Sequence, residues 1–237
     1  MHTNTNYGSN AKEDEMASLV SRRLFLRSTG LTTALGAVVI ASACTTEDHQ
    51  LPGMGDAVEL GSGDIGVLNY AYALEQLEAA FYTKVVDSFY AGATDEEKAL
   101  LTDIRDHEIV HREFFKAALG DKAIKGLTPN FDGIDFSNKA AVLGAAKLFE
   151  DTGVAAYNGA GKLIKDPNYL LLAGKIVSVE ARHAAVIRDL INPKSADFAG
   201  DDIIDMNGFD KAVAPADILA AVKGFVKDTI NGASVGK

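Results

Sequence analysis

The chain has 237 residues, 47% of them apolar, enough to bury a substantial core within one domain. Its net charge of −10 argues against a nucleic-acid partner, because phosphate recognition needs a basic patch. The single cysteine excludes an internal disulfide framework and any Cys-x-x-Cys metal knuckle, while five prolines and no tryptophan suit helices.

The N-terminal stretch reads as a targeting segment rather than as part of the fold. Ser21-Arg22-Arg23-Leu24-Phe25-Leu26-Arg27 resembles the twin-arginine export signal, departing from it at Arg27, where that signal usually has Lys. An apolar stretch from Leu31 to Ala43 follows, too short to span a bilayer as a helix. It ends Ala41-Ser42-Ala43-Cys44, which reads either as an ordinary small-residue cleavage site or as a bacterial lipobox with Cys44 lipidated. A signal peptide over residues 1–43 is expected. The product would be exported, and either periplasmic or held at the membrane through Cys44. Twin-arginine export carries folded proteins, which suits a protein loaded with metal before secretion. Residues 44–63, polar and Gly-containing, are expected to form a flexible tether.

Four long helices and a short fifth are expected from residue 64 onward. Helix one is predicted from about Asp64, as N-cap, to about Phe89; Leu68, Glu75, Tyr82 and Val86 share one face of it. Helix two opens with the capping box Thr94-Asp95-Glu96-Glu97 and stops at Gly120. Its buried row is Leu101, Ile104, Glu108, His111, Phe115 and Leu119. Residues 121–136, with Pro129 and several Gly and Asp, form a long crossover. Helix three begins after Ser137 and buries Leu143, Ala146, Glu150, Tyr157 and Ile164, with Gly153 where helix one has Glu78. Asp166 and Pro167 open helix four, whose row is Ala173, Ile176, Glu180, His183, Ile187 and Ile191. Asn192-Pro193 ends it, and residues 193–237 supply a loop and a helix predicted from Pro215 to Ile230. No strand alternation stands out, so the class is all-α.

One pattern occurs twice. Glu75, with Tyr82 seven residues on, precedes Glu108-Ile-Val-His111; Glu150, with Tyr157 seven residues on, precedes Glu180-Ala-Arg-His183. Positions i, i+3 and i+7 share a helix face, so each copy sends one Glu from one helix and a Glu/His pair from the next toward the bundle axis. Di-metal carboxylate sites in helix bundles are built from this set. Four convergent carboxylates would be untenable as bare charges, whereas two divalent cations with neutral imidazoles would balance them. Oxygen with some imidazole suits iron or manganese. Glu108 and Glu180 are expected to bridge, with Glu75 and Glu150 terminal and one histidine on each ion. Tyr82 and Tyr157 are expected to support the chemistry as hydrogen-bond donors to the carboxylates.

Residues 64–192 resemble the ferritin-like superfamily, sharing its Glu, Glu-x-x-His, Glu, Glu-x-x-His order and its long crossover. Leu68-Asn-Tyr-Ala71, Leu77-Glu-Ala-Ala-Phe-Tyr82, Gly153-Val-Ala-Ala-Tyr157 and Val179-Glu-Ala-Arg-His183 resemble the exported bacterial ferritin-like family related to plant desiccation proteins. The resemblance implies a ferritin-like four-helix bundle with the crossover between helices two and three. It also implies the ligands Glu75, Glu108, His111, Glu150, Glu180 and His183. Two iron or manganese ions would serve iron oxidation, oxygen or peroxide chemistry, or storage. A haem-bearing bacterioferritin needs a Met in the bundle, but the methionines are Met1, Met16, Met54 and Met206. A rubrerythrin needs a Cys-x-x-Cys module, which is absent; manganese catalase shares the ligand logic. A large storage cage fits poorly with a lipid on each chain, while a smaller homo-oligomer is left open.

Three readings compete locally. His107-Glu108-Ile-Val-His111 also matches the zinc-protease motif His-Glu-x-x-His, although that leaves Glu75, Glu150, Glu180 and His183 unexplained. Glu78 is either a fifth carboxylate at the site or a buried-edge residue satisfied by a neighbour. The whole set could also belong to a non-enzymatic, desiccation-related protein of the cell envelope.

Overall fold

The computed structural model describes residues 57–237, so the export segment, Cys44 and the first part of the expected tether lie outside the described residues. Helices α1 (Gly63–Asp87) and α2 (Asp95–Leu119) pack on each other as one hairpin. Helices α3 (Lys139–Gly161) and α4 (Pro167–Ile191) form the second. The crossover joining them begins with a 3₁₀ turn at Gly120–Lys122, and a short helix α5 (Pro215–Val222) follows α4. This is the expected all-α bundle. No helix among the described residues is long and apolar enough to cross a membrane.

Local chemistry sets most of the helix ends. The Thr94 hydroxyl accepts from Glu97 N at 3.1 Å, and the Glu97 carboxylate accepts from Thr94 N at 2.9 Å. Such reciprocal capping supplies partners for N–H groups that the helix itself cannot satisfy, each worth about 1 kcal/mol. Asn138 caps α3 through Ala141 N, and Asp166 caps α4 through Asn168 N, with Pro167 in the first turn.

Some boundaries differ from the expectation. The N-cap of α1 is Ser62, not Asp64; the Asp64 carboxylate instead accepts from Lys165 N and Asp166 N, in the turn between α3 and α4. Helix α1 ends at Asp87 rather than Phe89, and α3 ends at Gly161, short of Ile164. The last helix stops at Val222, passes through a 3₁₀ turn at Lys223–Phe225, and never reaches Ile230. The crossover draws the chain off: Asn130 N donates to Phe225 O at 2.7 Å, and Lys227 N to Thr128 O at 2.9 Å. Ile230–Asn231 then forms strand β2, paired in parallel with strand β1 at Val58–Glu59. Val58 and Leu60 are buried, so packing begins inside the stretch expected to be tether.

Helix α1 is the central element and is buried on nearly every side from Gly66 to Ala79. Its polar residues tie down the crossover that covers it. Asn69 Nδ2 donates to Leu60 O and Lys122 O, its Oδ1 accepts from Ile124 N, and Gln76 Oε1 accepts from Leu127 N. Beyond the middle of the bundle, Phe149 packs edge-on against Phe81 and Phe225, each at a centroid distance of 4.9 Å. Each such pair contributes about 1 kcal/mol beyond area burial. Along α3, Gly159 lets the loop that follows α4 come close. A Cβ there would lie 1.7 Å from Val213 O, in the segment where Val213 N bonds Ala155 O.

Candidate metal centre

The two hairpins bring all six expected residues together at the middle of the bundle. Glu75 comes from α1, Glu108 and His111 from α2, Glu150 from α3, and Glu180 and His183 from α4. All four carboxyl groups are fully buried, and the imidazoles nearly so. Their donor atoms form two groups, each with atoms lying within 4.8 Å of one another: Glu75, Glu108, His111, Glu180, and Glu108, Glu150, Glu180, His183.

The two groups are near copies. His111 Nδ1 lies 2.9 Å from Glu180 Oε1, 3.5 Å from Glu75 Oε2 and 3.7 Å from Glu108 Oε2. His183 Nδ1 lies 2.8 Å from Glu108 Oε1, 3.5 Å from Glu150 Oε2 and 3.7 Å from Glu180 Oε2. Glu108 and Glu180 therefore turn one oxygen toward each group, as a bridging carboxylate would. Glu75 and Glu150 each belong to one group only.

These short distances are not hydrogen bonds. Glu75 Oε2, both oxygens of Glu108 and Glu180, Glu150 Oε2 and both Nδ1 atoms are buried without a hydrogen-bond partner. Proximity without alignment means that the donor atoms converge on shared points rather than on one another. Buried polar atoms are rarely left this way, and carboxylate oxygen with imidazole nitrogen is the donor set of iron and manganese sites. The residues present fit a pair of such ions.

The tyrosines hold the remaining carboxylate oxygens, with crossed partners. Tyr82 Oη donates to Glu150 Oε1 at 2.5 Å, and Tyr157 Oη donates to Glu75 Oε1. Two helical turns, about 10.5 Å, separate each tyrosine from the glutamate of its own helix, too far for a bond. The antiparallel facing of α1 and α3 supplies the other glutamate instead.

Electrostatics without metal is correspondingly strained. Burial pushes the Glu75 and Glu78 carboxyls well above the usual range, and neighbouring carboxylates add to it. Burial also carries Glu150 to about 8. Burial opposes charge on His111 and His183 but is outweighed by the facing carboxylates, which hold both up to about 12. Glu108, where burial is likewise outweighed by the two imidazoles, stays near 2. Protons thus take the place that cations would fill.

His107 takes a place that the His-Glu-x-x-His motif does not describe. It lies outside both donor groups. Its ring stacks on His183 at 5.2 Å with an interplanar angle of 8°, and its Nδ1 sits 3.0 Å from His183 Nε2. The zinc-protease reading fails on this geometry, because His107 and His111 turn to different partners instead of to one ion. The position of His107 at the edge of the buried face was the available signal, but its partner depended on how α4 packs.

With the bundle, its crossover and the doubled Glu/Glu-x-x-His cluster in place, the fold and site define a ferritin-like protein. The family model described as "Ferritin-like domain" matches residues 63–193, and the chain belongs to that family. No curated protein matches the chain.

Proposed function

We propose that this centre binds two ions of iron or manganese and serves oxidation chemistry on iron, dioxygen or peroxide. The observation that carries the reading is the set of eight buried oxygen and nitrogen atoms of six residues that converge without hydrogen-bond partners. Such a pair, when bound, supplies redox-active metal for ferrous iron oxidation or for dioxygen or peroxide turnover. Glu108 and Glu180 offer an oxygen to each position, Glu75 and Glu150 close the two ends, and His111 and His183 present Nδ1. Tyr157 and Tyr82 hold the far oxygens of Glu75 and Glu150, which fixes the orientation of the near ones. A mostly apolar pocket lined by Val67, Leu68, Ala71, Phe115 and Ile176 reaches Tyr157 and favours approach by a small uncharged molecule. Export through the twin-arginine signal, with or without a lipid on Cys44, belongs to the same proposal and would place the chemistry in the cell envelope.

The test is to load the protein with ferrous iron in the absence of oxygen, then admit oxygen or peroxide and follow absorbance. Wild type should oxidise iron at least about tenfold faster than the Glu108→Ala/Glu180→Ala double variant. Equal rates would contradict the reading.

A further inference from the structure

The two halves of the centre differ at one position. Residues 75, 78 and 82 of α1 correspond to 150, 153 and 157 of α3, and the middle position is Glu78 in one half and Gly153 in the other. The crossed tyrosine bonds fix the register of these helices, with Glu75 facing Tyr157 and Tyr82 facing Glu150. Glu78 faces Gly153 between those two levels and, as the side chains stand, lies outside both donor groups. A Cβ on Gly153 would stand 3.0 Å from Glu78 Oε1 and 3.8 Å from Glu180 Oε2. Glycine inside a helix costs about 1 kcal/mol relative to alanine. Here it leaves the space that the Glu78 carboxyl fills.

Among the described residues no cation or hydrogen-bond donor accounts for the buried Oε2 of this carboxyl group. Glu78 is 3% exposed, and its Oε2 is buried with no hydrogen-bond partner. After burial, the strongest influences on it are Glu108, Glu180, Glu75 and Glu150, all of its own sign. Glu97, the buried glutamate outside the centre, shows the usual alternative, with Lys139 and the Thr94 N–H against its oxygens. An unpartnered buried carboxyl costs several kcal/mol and survives only where something else compensates it.

We propose that Glu78 is a fifth carboxylate ligand of the metal pair, with the space left by Gly153 giving its carboxyl room to turn to an ion. The inference rests on the reading of the centre as a metal pair. Five carboxylates carry one more negative charge than two divalent ions, so Glu78 favours a pair in which one ion is trivalent. The two metal positions, alike in their other ligands, become unequal through a residue that only one half possesses.

The test compares wild type, Glu78→Gln and Gly153→Ala, with metal content by elemental mass spectrometry and the iron midpoint potential by spectroelectrochemistry. Wild type and Glu78→Gln should each hold two ions per chain. Glu78→Gln should bind ferric iron at least about tenfold more weakly, with a raised midpoint potential, because an anionic donor to the oxidised pair is lost. Gly153→Ala keeps the glutamate but crowds its Oε1, and should move the potential in the same direction. It also serves if Glu78→Gln folds poorly. If wild type takes up two ions and both variants match its ferric affinity and potential, the role of Glu78 is overturned while the metal pair stands. If wild type takes up no ion after reconstitution, both fall.

Discussion

Tyr82 on α1 donates its hydroxyl hydrogen to Glu150 on α3 at 2.5 Å, and Tyr157 returns the same bond from α3 to Glu75 on α1. The two bonds tie the first hairpin to the second through the centre itself. Removing either hydroxyl leaves a buried carboxylate oxygen unpaired, which costs about 1–3 kcal/mol. Tyr82→Phe and Tyr157→Phe should therefore each lower stability by about that amount, and by similar amounts given their matching positions. Urea denaturation of the metal-free protein measures this. A change within error for both would show that the bonds contribute nothing net.

His107 keeps His183 Nδ1 turned toward the carboxylates, because its own Nδ1 lies within hydrogen-bonding distance of His183 Nε2. Among the described residues no side chain plays that part for His111. His107→Phe preserves a ring for stacking but removes the acceptor, and should weaken one of the two metal positions by about 10–100-fold. His107→Asn, which restores an acceptor, should recover much of the loss. Competition titration with a chelator reads both. Equal weakening of the two positions, or none, would contradict the assignment.

The pH dependence follows from the same cluster. In the metal-free protein His111 and His183 titrate near 12 and Glu150 near 8, each above its unfolded value. The stability these groups contribute is present at low pH. It is lost as pH rises, from about 4.5 through 8 for the carboxyl and from about 6.5 through 12 for the imidazoles. Glu108, held near 2, acts oppositely and loses its contribution only as pH falls below about 4.5. Metal binding displaces the protons, so affinity rises with pH. With chelator present, the melting temperature should fall between about pH 6 and pH 9 while the metal-loaded protein holds steady. Parallel curves would contradict this.

Arg188 pins the segment after α4. Buried at 2% exposure, it bonds Asp151 and Asp202 through paired contacts of 2.7–3.0 Å and donates to Asp197 O. Because Asp202 is more than half exposed, the interaction is discounted from that of a fully buried pair. Arg188→Ala should cost about 2 kcal/mol in stability and leave metal content unchanged. Loss of metal in that variant would mean that the C-terminal segment supports the centre as well as the outer face.

The long helices and the six converging residues were legible in the sequence because both follow helical periodicity, and caps such as Thr94 and Asp166 are local chemistry. Elements without a period were not. Val58–Glu59 and Ile230–Asn231 pair over two residues each, too few for alternation to register, and their partners lie far apart in the chain. Asp64 has the residue type and position of a cap for its own helix, but its hydrogen bonds reach the turn before α4, a partner that local sequence does not encode. The crossed tyrosines and the His107–His183 stack depend on how helices face each other, which spacing along one helix does not encode.

The most direct test of the centre is the metal content of the folded domain by elemental mass spectrometry, beside Glu108→Ala and His183→Ala. Two ions of iron or manganese per chain, with loss of metal in both variants, is the predicted result. A wild-type protein that remains free of metal after reconstitution with either ion would contradict the account.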